Sequence, residues 1–215
     1  MTGWPSPNHG PRVGVAAPSL IVLHYTGMAT AAEARARLCD PAAEVSAHWL
    51  IAEDGAPEAL VPEERRAWHA GAGSWRGQED INSRSVGIEI ANPGYRPFAA
   101  AQMDMLERLL GRIMARWSIG PEGVIAHSDM APGRKLDPGP RFDWARLARQ
   151  GLALHPAGCG PDLPLDESLT RIGYPVVEPE KRLAAFRLRF RPGAHGPETE
   201  TDRRIAAAAA ALFPA

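Results

Sequence analysis

Up to about residue 155, the hydrophobic pattern of the chain alternates between two periods. Short runs of apolar and β-branched residues predict buried strands, at 20–23, 45–52, 58–61, 85–91 and 123–126. Apolar residues three or four positions apart, such as Leu106, Leu110 and Ile113, predict an amphipathic helix at about 99–117. Shorter helices are predicted after Thr30, which fits an N-cap, and at 142–149. This alternation predicts an α/β domain with a central sheet.

The pattern changes near residue 155. The stretch HPAGCGP at 155–161 is rich in proline and glycine, which is typical of a linker. Beyond it only helical periods occur, at about 165–172, 179–190 and 199–212. We therefore predict two units, a larger domain at 1–155 and a small three-helix module at 156–215. A module of this size is only marginally stable without neighbours.

Three polar side chains occupy positions where α/β proteins assemble their sites. His24 and His127 each follow a predicted strand, and Asp137 lies ten residues after His127 in a loop rich in proline and glycine. Two imidazoles and one carboxylate, with a fourth position open, form a set typical of catalytic zinc. The spacing leaves a second interpretation open, in which each histidine only forms hydrogen bonds inside the fold.

Two further charged residues could complete such a site. Glu89 interrupts an apolar strand, where a carboxylate costs several kcal/mol unless it is paired or faces a cleft. It fits a general base, or alternatively the polar face of a half-exposed strand. Lys135 could place a cation beside a developing oxyanion, or could be an ordinary solvated lysine in a loop.

Composition narrows the function classes. Hydrophobic residues make up 45% and charged residues 23% of the 215 positions, as in an average globular protein. The net charge of −1 provides no basic field for nucleic acid or anionic lipid. Two cysteines cannot form a four-thiolate zinc site, so any metal must use His, Asp or Glu.

We find no leader pattern and no membrane span, which predicts a cytoplasmic protein, or a periplasmic one if a leader was removed.

Six segments then stand in one characteristic order: IVLHYTG (21–27), SAHWLIAEDG (46–55), AWHAG (67–71), SWRG (74–77), INSRSVGIEIANPG (81–94) and AHSDMAPGRKLDPGPRFDW (126–144). Together they closely resemble the zinc-dependent N-acetylmuramoyl-L-alanine amidases of the amidase 2 type, over about residues 18–150. This group includes cell-wall recycling amidases, phage lysozymes and peptidoglycan recognition proteins. The resemblance implies a mixed β-sheet flanked by helices, with zinc in a surface groove.

The resemblance also implies a role for each residue of the site. His24, His127 and Asp137 would hold one zinc ion per chain, Glu89 would activate the zinc-bound water, and Lys135 would stabilise the oxyanion. The enzyme would hydrolyse the amide between N-acetylmuramic acid, or its 1,6-anhydro form, and L-alanine. Because non-catalytic members of the superfamily lack a metal ligand and this sequence lacks none, we expect an enzyme. The alternative is a sensor that binds muropeptides without cleaving them.

The expected partners are muropeptides and anhydro-muropeptides, with intact peptidoglycan left open, and the predicted form is a monomer. Substrate contacts are expected from residues in matching segments near the groove: Trp68, His69, Trp75, Arg76 and Asn82. The two tryptophans fit a core position equally well. The segment at 169–212 resembles the three-helix peptidoglycan-binding module of cell-wall hydrolases. Alternatively, it is a helical extension that only buttresses the amidase domain.

Overall fold

The computed structural model describes residues 5–214 of the chain. The strands are β1 His9–Gly10, β2 Leu20–Tyr25, β3 Trp49–Ile51, β4 Pro57–Ala59, β5 Arg66–Ala67, β6 Ser85–Ile90 and β7 Val124–Ala126. The helices are α1 Ala31–Leu38, α2 Ile81–Arg84, α3 Ala100–Trp117, α4 His127–Met130, α5 Trp144–Arg149, α6 Leu165–Ile172, α7 Pro179–Phe190 and α8 Glu200–Ala210. No helix within the described residues is long and apolar enough to cross a membrane.

The central sheet has five strands in the order β4-β3-β6-β2-β7. Strands β3, β6, β2 and β7 run parallel, and β4 pairs with β3 in the antiparallel direction at one edge. The sheet is therefore mixed, as expected from the sequence. Its central register sets His24 of β2 beside Glu89 of β6. Because paired residues of parallel neighbours point to the same face, these two side chains share one side of the sheet.

The two faces of the sheet pack against different helices. On one face, Leu23 and Ile88 join Leu106, Leu110 and Ile113 of the long helix α3 in one hydrophobic cluster. Helix α3 begins and ends within one residue of its predicted range. The opposite face is divided, since one part packs under α1 and another under the C-terminal helices. The site lies on this divided face.

The C-terminal helices share a core with the sheet. Helices α6 and α7 coincide with their predicted ranges, and α8 is shorter than predicted by about one residue at its start and two at its end. One cluster combines sheet residues such as Val22 and Ile125 with Leu169, Phe186 and Ala209 of the three helices. The segment beyond the linker therefore packs on the sheet, which is the buttressing contact that the sequence had left as an alternative.

One prediction about local structure is wrong in part. The predicted strand at 45–52 is strand only over Trp49–Ile51, because Ser46 instead exchanges hydrogen bonds with the backbone of Trp68 in a neighbouring loop. His127 follows β7 as predicted, and it also opens the short helix α4, which the sequence pattern does not predict. The side chain of Asp129 accepts a hydrogen bond from the N–H of Ala126 and so caps this short helix directly after the strand.

Candidate metal centre and active site

The structure brings His24, His127 and Asp137 together at the end of the parallel strands. Strands β2 and β7 are neighbours, so the residues at their carboxyl ends meet at the same edge of the sheet. The two Nδ1 atoms lie 2.9 Å apart, and Asp137 Oδ2 lies 2.8 Å from His24 Nδ1 and 2.9 Å from His127 Nδ1. The N–H of Ser128 donates to the carbonyl of Asp137, which ties the long loop to α4. All three side chains are buried.

The protonation of these groups fits a bound metal ion. His127 donates its Nε2–H to the carbonyl of Ala70 at 2.9 Å, which leaves Nδ1 as the ring nitrogen that faces Asp137. Where Nδ1 carries no proton, its lone pair faces the carboxylate of Asp137. This contact is repulsive unless a cation lies between the two groups. Burial and the nearby imidazole of His127 lower the pKa of His24 to about 4, which keeps its ring neutral. Neutral imidazoles and an ionised carboxylate are the forms that bind metal, and these three residues could hold one.

Glu89 faces the same cleft from strand β6. Its Oε2 is shielded from solvent and has no hydrogen-bond partner within the described part of the chain. The pKa of Glu89 lies well above its ordinary value because of burial and the charge of Asp137, although Lys135 opposes this shift. An unpaired carboxyl with a raised pKa is suited to accept a proton near neutral pH.

Two adjacent cations border the cleft, and they differ in their contacts. The guanidinium of Arg134 donates to the carbonyls of Ala70, at 2.7 Å, and Ala72, so it holds the loop that follows His69. Lys135 is half-buried and lines the cleft, and its ammonium makes no hydrogen bond with any residue between 5 and 214. Lys135 is therefore free to face a bound molecule, whereas Arg134 is committed to the backbone.

The cleft has a volume of about 440 Å³ and includes only some of the predicted substrate contacts. Trp68 and His69 line it, together with the three metal-site residues, Glu89 and Lys135. Sequence reasoning missed the further lining residues Tyr25, Arg37 and Leu136. Tyr25 and Leu136 are direct neighbours of predicted site residues, which is a signal that could have found them. Arg37 lies on α1, and no local pattern connects it with the site.

Trp75, Arg76 and Asn82 are not among the residues that line the cleft, and their expected substrate contacts have no support in its geometry. Trp75 is only 1% exposed, and its ring packs edge-on against Tyr174 at 5.4 Å. Arg76 donates to the carbonyl of Pro214, which directs it to the C-terminal end of the chain. Asn82 is buried, and its Oδ1 accepts hydrogen bonds from the N–H groups of His69 and Ala70.

A mixed α/β sheet with two histidines, an aspartate and a glutamate converging at the ends of its strands defines a hydrolytic class of enzyme. The family described as N-acetylmuramoyl-L-alanine amidase matches residues 14–140, and the chain belongs to it. N-acetylmuramoyl-L-alanine amidase AmiD of Escherichia coli (strain K12) is 37% identical to this chain over 235 aligned residues. The alignment covers 93% of this chain and 82% of the length of AmiD. The 1,6-anhydro-N-acetylmuramyl-L-alanine amidase AmpD of Enterobacter cloacae is 40% identical over 103 residues, and this alignment covers 48% of this chain and 55% of the length of AmpD. The amidase predicted from the sequence is thereby confirmed.

Solved structures agree with this assignment. E. coli AmiD in complex with the substrate anhydro-N-acetylmuramic acid-L-Ala-D-gamma-Glu-L-Lys aligns with a TM-score of 0.81 and 33% identity, covering 94% of this chain and 92% of that chain. AmpDh3 from Pseudomonas aeruginosa in complex with anhydromuramic pentapeptide aligns with a TM-score of 0.83 and 28% identity over 100% of both chains. The predicted mixed α/β fold is confirmed, and the similarity to AmiD and AmpDh3 extends over the C-terminal helices.

Proposed function

We propose that this amidase is zinc-dependent and cleaves the amide between N-acetylmuramic acid, or its 1,6-anhydro form, and L-alanine in peptidoglycan fragments. The observation that carries the proposal is the convergence of His24, His127 and Asp137 beside the unpaired carboxyl of Glu89. Both AmiD and AmpDh3 are similar to this chain over nearly its whole length, and both were solved with anhydromuramic peptides. When bound to these three residues, zinc would polarise the scissile carbonyl and lower the pKa of water.

The side chains around the metal site supply the proton transfers. Glu89 accepts a proton from the attacking water as the new O–C bond forms, because it lines the cleft and its Oε2 has no hydrogen-bond partner among the described residues. The same carboxyl then returns the proton to the leaving nitrogen of L-alanine as the C–N bond breaks. Lys135 stabilises the negative charge on the former carbonyl oxygen, since its ammonium lines the cleft and has no competing hydrogen bond among the described residues.

The rim of the cleft suits an acidic sugar-peptide. Half-buried Trp68 offers an aromatic face on which a sugar ring can stack. Arg37 is exposed at the rim, where its guanidinium can pair with a carboxylate of the stem peptide. These contacts support binding of muropeptides.

The monomeric state and the cytoplasmic location stay predictions. Sedimentation analysis would test the monomeric state, and fractionation of cells with immunoblotting would test the location.

Metal removal tests the mechanism directly. We expect purified protein to release the peptide from anhydro-N-acetylmuramyl tripeptide, measured by liquid chromatography and mass spectrometry. Activity should disappear after chelation and return when Zn²⁺ is restored. Activity that survives verified zinc removal would contradict the proposal. Zinc-loaded protein that binds the muropeptide without cleaving it would instead support the sensor alternative.

Replacement of the general base provides the second test. Glu89→Gln should retain zinc, because other residues hold the metal, and should lose about 10²- to 10⁴-fold in kcat. Glu58→Gln is the matched control, since Glu58 lies in the same sheet but pairs with Arg35 at the surface. A Glu89→Gln variant that turns over at the control rate would show that the base has been assigned to the wrong residue.

A further inference from the structure

The ring of His69 connects the metal site to the backbone behind it. His69 Nδ1 lies 3.0 Å from His24 Nε2, the ring nitrogen on the far side from Asp137. On its other edge, His69 Nε2 lies 3.1 Å from the hydroxyl of Ser85. That hydroxyl lies 2.6 Å from the carbonyl of Ile81. Three side chains thus form a continuous line of hydrogen bonds that begins at a main-chain oxygen and ends at a metal-site histidine.

The direction of each hydrogen bond in this line follows from the bond between Ser85 and the carbonyl of Ile81. The carbonyl of Ile81 can only accept, so Ser85 donates its single proton to it. Ser85 must then accept from His69, which places the N–H of His69 at Nε2 and its lone pair at Nδ1. His24 must therefore donate from Nε2 to that lone pair. As a result, the other nitrogen of His24, Nδ1, presents a lone pair to Asp137 and His127.

The surrounding chain is shaped to keep the His69 ring in this place. A methyl group at Gly87 would lie 2.4 Å from His69 Cγ, so the ring occupies space that any side chain at this strand position would fill. The side chain of Asn82 accepts hydrogen bonds from the N–H groups of His69 and Ala70, at 3.0 and 2.8 Å, and fixes the backbone. These contacts make His69 part of the support of the metal site, although it also borders the cleft.

We propose that His69, held by Ser85, is a positioning residue that fixes His24 in the tautomer able to bind metal through Nδ1. Without an acceptor at His69, the proton of His24 can move to Nδ1 and form a hydrogen bond with Asp137 Oδ2, 2.8 Å away. A metal ion would then have to displace that proton. This inference rests on the proposed zinc site, and it adds a supporting role for His69 to the substrate contact expected from the sequence.

The test compares variants that break or retain the line of hydrogen bonds. Ser85→Ala removes the acceptor behind His69, and His69→Leu removes the acceptor in front of His24. Supporting groups of metal-binding histidines typically contribute a factor of about 10 to 100 in metal affinity, and we expect such a loss in both variants. His69→Asn should bind Zn²⁺ nearly as well as wild type, because Asn Oδ1 can replace Nδ1 as acceptor. Competition with a chromophoric chelator measures the Zn²⁺ affinity.

Ser83→Ala is the matched control. Ser83 and Ser85 are both fully buried and only two residues apart, but the hydroxyl of Ser83 accepts from the N–H of Val13 and, among the described residues, forms no hydrogen bond with His69. This control should retain wild-type Zn²⁺ affinity. Long-range ¹H–¹⁵N NMR spectra of the metal-free proteins add a readout independent of activity. The ring of His24 should show the Nε2–H tautomer in wild type and Ser83→Ala, and a shift towards Nδ1–H in Ser85→Ala and His69→Leu.

The outcomes separate this inference from the proposed function. If wild-type protein binds no Zn²⁺, the proposed metal dependence fails, whereas the NMR spectra still decide the tautomer of His24. If wild type binds Zn²⁺ and folded Ser85→Ala binds it as tightly as Ser83→Ala with an unchanged tautomer, the role of His69 is overturned. An Asn variant as weak as the Leu variant would also overturn it, because the acceptor would then not be the cause. Ser85→Ala removes one hydroxyl only, so the test does not depend on how well His69→Leu folds.

Discussion

A buried ion pair joins the C-terminal helices to the metal site. Arg189 of α7 donates to Asp129 Oδ2 at 2.7 Å, and Tyr174 donates to Asp129 Oδ1 at 2.6 Å. Asp129 is 0% exposed and Arg189 is 2% exposed, so the pair is shielded from solvent. Because Asp129 also caps the helix that begins with His127, this contact holds a proposed metal ligand in place.

The informative perturbation is Asp129→Asn, which keeps the shape of the side chain but removes its charge. The buried cation of Arg189 then loses its counter-charge, while the face of its guanidinium remains over the Trp144 ring at 4.1 Å. Removing one partner of a buried ion pair costs about 3–5 kcal/mol of unfolding free energy. For a chain of this length each kcal/mol lowers Tm by about 2–4 °C, so we expect a decrease of about 6–20 °C.

Urea and thermal unfolding, followed by circular dichroism and tryptophan fluorescence, measure this effect. The matched control is Asp162→Asn, since Asp162 forms an exposed ion pair with Arg203 and its replacement should change the unfolding free energy little. Replacing both buried partners in Asp129→Asn/Arg189→Met should recover part of the loss, because no unpaired charge remains. We expect one cooperative transition in wild type, since the sheet and the C-terminal helices share a core. An Asp129→Asn variant within 1 kcal/mol of wild type, or separate melting of the C-terminal helices, would refute this reasoning.

Three further predictions follow from individual contacts. Lys135→Met should lower kcat about 10²- to 10³-fold, and Lys135→Arg should restore it only in part, because a planar guanidinium replaces a compact ammonium. Gly87→Ala should destabilise the fold by about 1–3 kcal/mol through its clash with His69, whereas Gly111→Ala, in open space on α3, should be neutral or stabilising. Burial alone would raise the pKa of Asp202, but hydrogen bonds from its arginine partners hold it well below the usual range. Stability from Asp202 is thus present above the ordinary carboxyl pKa and is lost as pH falls, so Asp202→Asn should flatten the acid branch of the stability curve.

Each of these predictions has a contrary result. Wild-type kcat in Lys135→Met would remove that residue from the mechanism. Equal stability of the two glycine variants would show that the ring of His69 can move aside without cost. Parallel acid-unfolding curves for wild type and Asp202→Asn would mean that this carboxylate is not responsible for the pH dependence.

The sequence by itself determined the elements whose signals are local. The apolar spacing of α3 and the β-branched run of β2 define these elements within a few neighbouring residues, and the structure shows both at their predicted places. The donor set was also visible, because His24, His127 and Asp137 occur in ordered segments typical of the amidase family. Residue types and their spacing were sufficient for these conclusions, because each helical period, apolar run or family segment lies within one continuous stretch of the chain.

Only the tertiary structure decided which distant residues meet. Trp75 has the same type of side chain as Trp68, but the C-terminal helices bury it while Trp68 stays at the cleft. His69 contacts His24 because Gly87, on a strand far away in sequence, leaves room for its ring. The C-terminal helices pack on the sheet, and Arg189 of α7 pairs with Asp129 of α4, which the linker in the sequence does not indicate. Such contacts depend on how the faces of helices and of the sheet pack against each other. The spacing of apolar residues along the chain does not specify that packing.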